Sequence, residues 1–202
     1  YGAHIWGDFD APYIDVSAGN RMACCDTFRI TVEGSSTHGS TPHLGTDAIV
    51  AAASIIMNIQ TYVSRNNDPL NPLVVTVGKI DGGQRFNILA NKVVMEGTCR
   101  TFSRKTLETI DKDLERIAAN TAAAFGASAS LEYQHLTTPV INDHEDLNRI
   151  ARNAVIKLYG EEGLGHLPTM MGSEDFAFFM EEVPGVFGFI GSRDPEQGYI
   201  YT

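Results

Sequence analysis

The segment "DTFRITVEGSSTHGSTPHLGTDAIVAAASIIMNIQTYV", residues 26–63, contains the change of pattern that decides the fold. Residues 26–34 alternate apolar and polar side chains and end on Gly34, which predicts a strand. After a loop of small polar residues, Thr46 can cap a helix and Asp47 suits its first turn. Mostly apolar side chains then recur at helical spacing, at Ile49, Ala53, Ile56, Gln60 and Val63.

Downstream of this segment the same kinds of pattern return in a fixed order. They indicate strands at 73–83, 92–102 and 129–136, a short extended stretch at 85–89, and a helix at 106–126. Gly126 is the expected C-terminal cap of that helix. Its apolar spacing runs through Leu107, Ile110, Leu114, Ile117, Thr121 and Phe125. The order over residues 26–136 predicts a ferredoxin-like βαββαβ domain, a four-stranded sheet with two helices on one face.

The flanking segments are α/β in character but short. Residues 1–25 predict a strand and a turn, and residues 142–160 predict a helix opened by Asn142 and closed by Gly160. Residues 171–191 predict a loop, a short helix and a strand. We therefore expect residues 26–136 to be an insert between two pieces of an incomplete α/β domain, 1–25 and 137–202, and the chain to be a portion of a longer protein.

Composition narrows the class of protein. The formal net charge is −10 and the pI is about 4.9, which argues against a nucleic-acid partner, and no apolar run is long enough to cross a membrane. Cys24, Cys25 and Cys99 have no repeated spacing, so a disulfide framework is not expected and a reducing compartment, the cytoplasm, is. The adjacent pair lacks the C-x-x-C spacing of a metal site and is expected to be two half-buried strand residues.

Three histidines are candidates for chemistry. His4 lies near the end of a predicted apolar strand, where it is either a core or edge histidine with one hydrogen bond or a metal ligand. His38 and His43 lie five residues apart on the small-residue loop. They are either solvated, or share a metal, or present a ring that donates a hydrogen bond to a developing oxyanion.

Three further positions have two interpretations each. Arg100 lies on the strand face opposite Cys99, where it is either solvated or a clamp for a carboxylate. Asn87 is either a turn residue or a directed hydrogen-bond donor. In "GSEDF", residues 172–176, Ser173 is expected to cap a helix, and the free N–H groups there could alternatively bind a substrate carboxylate. The sequence has no G-x-S-x-G elbow, no P-loop and no G-x-G-x-x-G fingerprint.

Four stretches together resemble one family in order and spacing. They are "GAHIW" (2–6), the stretch from "STHGSTPHLG" to "KIDGG" (36–83), "FNILANKVVMEGTCRTF" (86–102) and "MGSEDFAFF" (171–179). They are similar to the metal-dependent amidohydrolases that include hippurate hydrolase, N-acyl-amino-acid deacylases and auxin-conjugate hydrolases, relatives of aminoacylase and carboxypeptidase G. The resemblance runs over nearly all of the chain.

The resemblance implies hydrolysis of the amide bond of N-acyl amino acids or small peptides. It implies a zinc-peptidase-like α/β domain with two divalent metal ions, zinc or manganese. The inserted lid, residues 26–136, also makes a homodimer in this family. His4 matches a metal ligand, and His38 matches the lid histidine that reaches into the partner subunit's site.

The remaining matches concern the substrate. Asn87 and Arg100 match lid residues that hold the substrate's carboxylate or carbonyl, and Gly172 and Ser173 match the loop that lines the substrate pocket. His43 has no matching role.

The chain also departs from the family pattern. The family's Cys/His/Asp metal stretch, its paired glutamates with the general base and its last metal histidine have no match here, so the chain offers at most one metal ligand. We expect these residues alone to be inactive. Two alternatives stay open: a non-catalytic dimerisation or binding module that uses the βαββαβ insert, and a pH-responsive histidine loop.

Overall fold

The computed structural model describes residues 1–198, and the residues 199–202 at the end of the predicted segment 137–202 lie outside it. Its strands and helices are β1 (Gly2–Asp10), β2 (Ile14–Asp15), β3 (Gly19–Met22), β4 (Cys25–Glu33), α1 (Ala48–Arg65), β5 (Leu73–Gly82), β6 (Lys92–Thr101), α2 (Arg104–Leu107), α3 (Ile110–Ala124), β7 (Ser128–Thr137), β8 (Val140–Asn142), α4 (Glu145–Tyr159), α5 (Phe176–Glu182) and β9 (Phe187–Arg193). The chain forms two compact units. We call Cys25–Leu136 the insert unit, and Tyr1–Cys24 with Thr137–Thr202 the flanking unit.

The insert unit has the predicted ferredoxin-like architecture. Its sheet has the order β5-β6-β4-β7, and β6 pairs antiparallel with both β4 and β5. Helices α1 and α3 pack against each other, and α1 also contacts β4, β5 and β6. The alternation in β4 is the reason for this packing, because Phe28, Ile30 and Val32 all point into the core that the helices cover.

Two details predicted for α1 are wrong. Its N-cap is Asp47 rather than Thr46, because the Asp47 carboxylate accepts hydrogen bonds from the backbone N–H groups of Ile49 (2.9 Å) and Val50 (3.4 Å). The stripe predicted through Ile49 is also not the buried one, and Ile49 itself is 46% exposed. The sheet instead contacts a neighbouring stripe, Ala48, Ala51, Ala52, Ile55, Ile59 and Tyr62.

The second predicted helix, 106–126, is divided in the structure. Ser103 caps the short helix α2 by accepting a hydrogen bond from Thr106 N (3.1 Å), and α3 begins after the break at Thr109. Gly126 closes α3 with a φ of +74°, as expected of a left-handed cap. Phe125, placed on the apolar face by its spacing, is 43% exposed.

The flanking unit contains a sheet of order β1-β9-β2, in which β1 and β9 are parallel, and a separate β3-β8 pair. Asn142 does not open α4, because His144 occupies the N-cap and accepts from Leu147 N. Asn142 is instead buried, where its amide donates to the carbonyls of Ser17 and Phe187 and accepts from Phe187 N. It therefore ties β8 to β9, and this use of its side chain removes it from the helix end.

The three cysteines form no disulfide in the part of the chain that the structure describes. Cys24 and Cys99 are buried and Cys25 is half-buried at the start of β4. No helix within residues 1–198 is both long and apolar enough to cross a membrane.

Candidate functional site

The loop that carries His38 is fastened by its backbone at both ends. Ser35 and Thr46 exchange two backbone hydrogen bonds of 2.9 and 3.0 Å, and a short 3-10 turn follows at residues 42–44. Gly34 permits this closure, because a Cβ there would overlap the carbonyl oxygen of Thr46. The small-residue loop predicted from the sequence is therefore held closed by main-chain hydrogen bonds.

A second set of backbone bonds joins this loop to the connection between β5 and β6. Gly39 N donates to Asn87 O (2.8 Å), and Leu89 N donates to Thr37 O (2.9 Å). Residues 86 and 87 of this connection form a turn, so the predicted extended conformation of residues 85–89 is wrong. Only Ile88 has a β contact, a single bridge with His38. The structure brings His38 and Asn87 together although they lie far apart in the sequence.

The orientation of the His38 ring defines which nitrogen carries its proton. Ser40 N–H points at His38 Nδ1 (3.2 Å), and Ser40 Oγ lies 2.7 Å from the same atom. Because a backbone N–H can only donate, Nδ1 of the neutral ring is the acceptor and Nε2 carries the hydrogen. The side chain is exposed, so Nε2–H is a donor available to a molecule outside the loop. His43, in the 3-10 turn, is also exposed.

Arg100 lies at the opposite end of the same sheet. It follows Cys99 near the end of β6, opposite Val74 of β5, whereas Asn87 precedes the start of β6. The nine residues from Lys92 to Arg100 span about 25 Å of extended strand. Within one copy of the chain, the structure therefore does not bring Arg100 together with His38 and Asn87.

His4 is the third residue of β1 rather than lying near its end, and it pairs with Phe189 of β9. Its ring is exposed and contacts the Trp6 ring edge-on, with 5.7 Å between centroids. His4 Nδ1 lies 2.6 Å from the carbonyl oxygen of Ile5. A carbonyl only accepts, so Nδ1 carries the hydrogen and Nε2 keeps its lone pair. This tautomer is the one that suits a metal ligand at Nε2.

Gly172 and Ser173 lie in the segment before α5. Gly172 O accepts from Ala23 N (2.8 Å), and Ser173 is half-buried. Ser173 is not the predicted cap, because Asp175 holds the N-cap position, with no hydrogen bond from its side chain. Glu174 occupies the first N–H groups of this turn of helix instead, which leaves little support for a substrate carboxylate there.

A metal site is not assembled in the described part of the chain. Within residues 1–198, no group of three or more His, Cys, Asp or Glu side chains is placed to hold a metal ion. His4 thus belongs to no such group within these residues.

Sequence reasoning missed a polar cluster in the insert unit. Asp26 is fully buried, and its Oδ2 accepts from Tyr133 Oη (2.8 Å) and lies 3.1 Å from His135 Nδ1. Burial raises the pKa of the Cys99 thiol to about 11, and burial followed by the charge of Cys99 and Asp26 raises the pKa of Tyr133. The one available signal was the position of Asp26 on the inward-facing alternation of β4.

Comparison of the sequence with models of known protein families identifies the class of protein to which this fold belongs. Residues 25–125 match the family model described as a peptidase dimerisation domain. The match covers half of the chain, and the chain belongs to this family, the dimerisation domain of M20 peptidases.

Two relatives of the chain are named as enzymes that cleave amide bonds, a deacetylase and an amino acid hydrolase. The chain is 34% identical to an N-acetyl-L-cysteine deacetylase of Bacillus subtilis over 95% of its length and 45% of that protein's. It is 30% identical to an IAA-amino acid hydrolase of Arabidopsis thaliana, over 96% of its length and 45% of that protein's. A crystal structure of a dinuclear metal-binding peptidase of the M20 family from Bacillus subtilis matches with a TM-score of 0.77 and 28% identity, over 95% of this chain and 47% of that one. The chain thus spans about half the length of the curated relatives it matches.

Proposed function

We propose that this chain is part of a metal-dependent amidohydrolase that cleaves the amide bond of N-acyl amino acids or small peptides. The single observation that carries the proposal is the His38 ring, whose Nδ1 is occupied by Ser40 and whose Nε2–H is exposed on a fastened loop. A donor held in this way can stabilise the oxyanion of a tetrahedral intermediate, because its geometry is set before the charge develops. The deacetylase and amino acid hydrolase names of the relatives support this class of reaction.

The distance between the two ends of the sheet supports a homodimer made through the insert unit. About 25 Å of strand separates Arg100 from Asn87, which is longer than a small N-acyl amino acid. One substrate can meet both only if Arg100 comes from one copy and His38 with Asn87 from the other. In this arrangement Arg100 holds the substrate carboxylate, Asn87 bonds its carbonyl, and His38 of the partner subunit donates to the oxyanion.

The open edge of β5 offers a surface for this dimer. β5 lies at one end of the sheet, and its second half is exposed at every residue from Gly78 onward, with Ile80 54% exposed. The strand contains no proline, and its free edge can pair with another strand next to Lys79 and the register shift between Val77 and Lys79. Light scattering should return the dimer mass, and a monomer mass at every concentration would exclude the dimer.

The tautomer of His4 fits one ligand of a dinuclear site. Its Nε2 would hold one of two divalent ions, zinc or manganese, and Gly172 and Ser173 would line the substrate pocket. Such ions supply Lewis-acid polarisation of the amide carbonyl and a water of lowered pKa. The three cysteines without a disulfide are consistent with a reducing compartment, which we take to be the cytoplasm.

The 202-residue chain alone should not turn over substrate, because it offers one metal ligand and no residue matched to the general base. Large apolar side chains also stay exposed on the flanking unit, including Ile5 and Phe179, each 65% exposed. The test is an assay with N-acetyl and N-benzoyl amino acids, with zinc or manganese added. Turnover that a chelator abolishes and metal restores would refute the expected inactivity.

Replacing His38 by alanine, in the longer protein that carries the metal ligands, tests the mechanism. We expect kcat to fall by about 10²–10³, the cost of one oxyanion donor, with metal content unchanged. His43→Ala is the matched control, since this histidine is exposed on the same loop and should leave kcat unchanged. An unaltered kcat in His38→Ala would remove His38 from the mechanism.

A second candidate function is a non-catalytic dimerisation module. It is favoured by the family match, which covers the dimerisation domain, and by the lack of a metal-binding group within residues 1–198. A dimeric longer protein without hydrolase activity on any of these amides would support the module over the enzyme.

A further inference from the structure

A pocket of about 470 Å³ lies wholly within the flanking unit. One wall is the first half of α4, and the facing wall is the segment that joins β2 to β3, together with the residues after α4. The volume is in the range of small-molecule sites. The side chains used below are Val16, Ala18, Arg149, Arg152 and Leu164.

The α4 wall presents two guanidinium groups. Arg149 and Arg152 are three residues apart on the helix, so they lie on the same face, and both are exposed. Arg149 donates through one nitrogen to Asp146 (2.6 Å), which leaves its other N–H groups for a further acceptor. Arg152 makes no ion pair or hydrogen bond with any residue that the structure describes. Acidic residues outnumber Lys and Arg in this unit, so Arg152, unpaired among the described residues, gives this wall a positive charge that is uncommon in the unit.

Asp15, which precedes Val16 in the opposite wall, does not cancel this charge. Asp15 is fully buried, and its oxygens accept from the Arg21 guanidinium, from Leu167 N (2.8 Å) and from Ser17 N (2.8 Å) and Oγ (2.5 Å). Its negative charge is therefore compensated inside the unit by partners that point away from solvent. Asp146 offsets the charge of Arg149, so the net positive charge of the α4 wall is that of Arg152.

We propose that this pocket binds a small organic oxyanion, a carboxylate or a phosphate ester, that carries a compact apolar body. Arginine forms two parallel hydrogen bonds with such groups, and Arg152 has its full set of donors available. Val16, Ala18 and Leu164 give the pocket an apolar part where the body of the ligand is shielded from water. This binding does not depend on the hydrolase activity proposed above.

The ligand class is tested by titrating the isotope-labelled 202-residue chain and following the backbone amides of Ala18 and Gly165. Benzoate provides the carboxylate with an apolar body, phenyl phosphate the phosphate ester, and benzamide the body without charge. We expect saturable shifts with benzoate or phenyl phosphate, and the one that saturates first identifies the oxyanion. Equal affinity for benzamide, or no saturable shift with either anion, would overturn the proposal.

Matched variants on α4 then separate a site from a general charge effect. Arg152→Gln should weaken binding about tenfold or more, the loss of a charge-assisted contact. Lys157→Gln makes the same change of charge on the same helix, outside the pocket lining, and should alter affinity by less than about twofold. Both side chains are exposed, so the urea midpoint should stay unchanged in each variant. Equal weakening by the two variants would show that net charge, and not this pocket, attracts the anion.

Discussion

We expect the insert unit to lose stability at alkaline pH, in part because Cys99 loses its proton. Replacing Cys99 by alanine should make this loss of stability smaller. Burial is the main cause that raises the pKa of this thiol from 9.0 to about 11, and the charge of Asp26 adds to it. The folded state therefore holds the proton more tightly than the unfolded state. The resulting stabilisation is complete below pH 9 and is lost as the pH rises toward 11. At pH 10 the loss from this one group is about 1.4 kcal/mol, a factor of ten in the folding equilibrium.

The assay is urea denaturation near pH 7 and near pH 10, with a reductant present, followed by the methyl resonances of Ile30 and Ile55 in the core of this unit. Cys99→Ala should show a smaller drop between the two conditions than the unaltered chain. Val75→Ala is the control, because Val75 is buried opposite Cys99 and does not titrate. It should lower stability by the same amount at both pH values. An alkaline loss that is identical in Cys99→Ala and the unaltered chain would refute the reasoning.

Two further substitutions test the local structure. Asp47→Ala removes the N-cap of α1 and should cost about 1 kcal/mol of unfolding free energy, while Asp47→Asn, which keeps an acceptor for Ile49 N, should cost less; equal losses in urea titrations would contradict the capping role. Asn142→Ala leaves the carbonyls of Ser17 and Phe187 and the N–H of Phe187 without their partner in a buried place, and should cost about 2–4 kcal/mol; a urea midpoint within error of the unaltered chain would contradict this.

The order of elements in the insert unit could be predicted from sequence because each element has a local pattern. The alternation of residues 26–34 and the glycine that ends α3 are determined by neighbours in the chain. The buried face of α1 could not, because "AIVAAASIIM" is apolar on nearly every side and its period does not select one face. Packing against the sheet determines which face of α1 is buried. The buried face contains the alanines, whose small side chains let the helix lie close to the sheet.

The arrangement of the candidate site residues could not be predicted from the sequence. The sequence predicts helix caps at both Asn142 and Ser173. In the structure the Asn142 side chain instead donates to a backbone carbonyl, and Asp175 rather than Ser173 is the N-cap residue. The meeting of His38 with Asn87 and their separation from Arg100 depend on sheet order, which no local pattern contains. The roles of these residues stay predictions until the variants are measured.

The backbone hydrogen bonds that close the His38 loop have a consequence for protein engineering. Since Ser35, Thr46 and Leu89 hold the loop through backbone atoms, the outward side chains of Ser36 and Leu44 take no part in its closure. Libraries that randomise those two positions could reshape what the loop meets while the imidazole keeps its place.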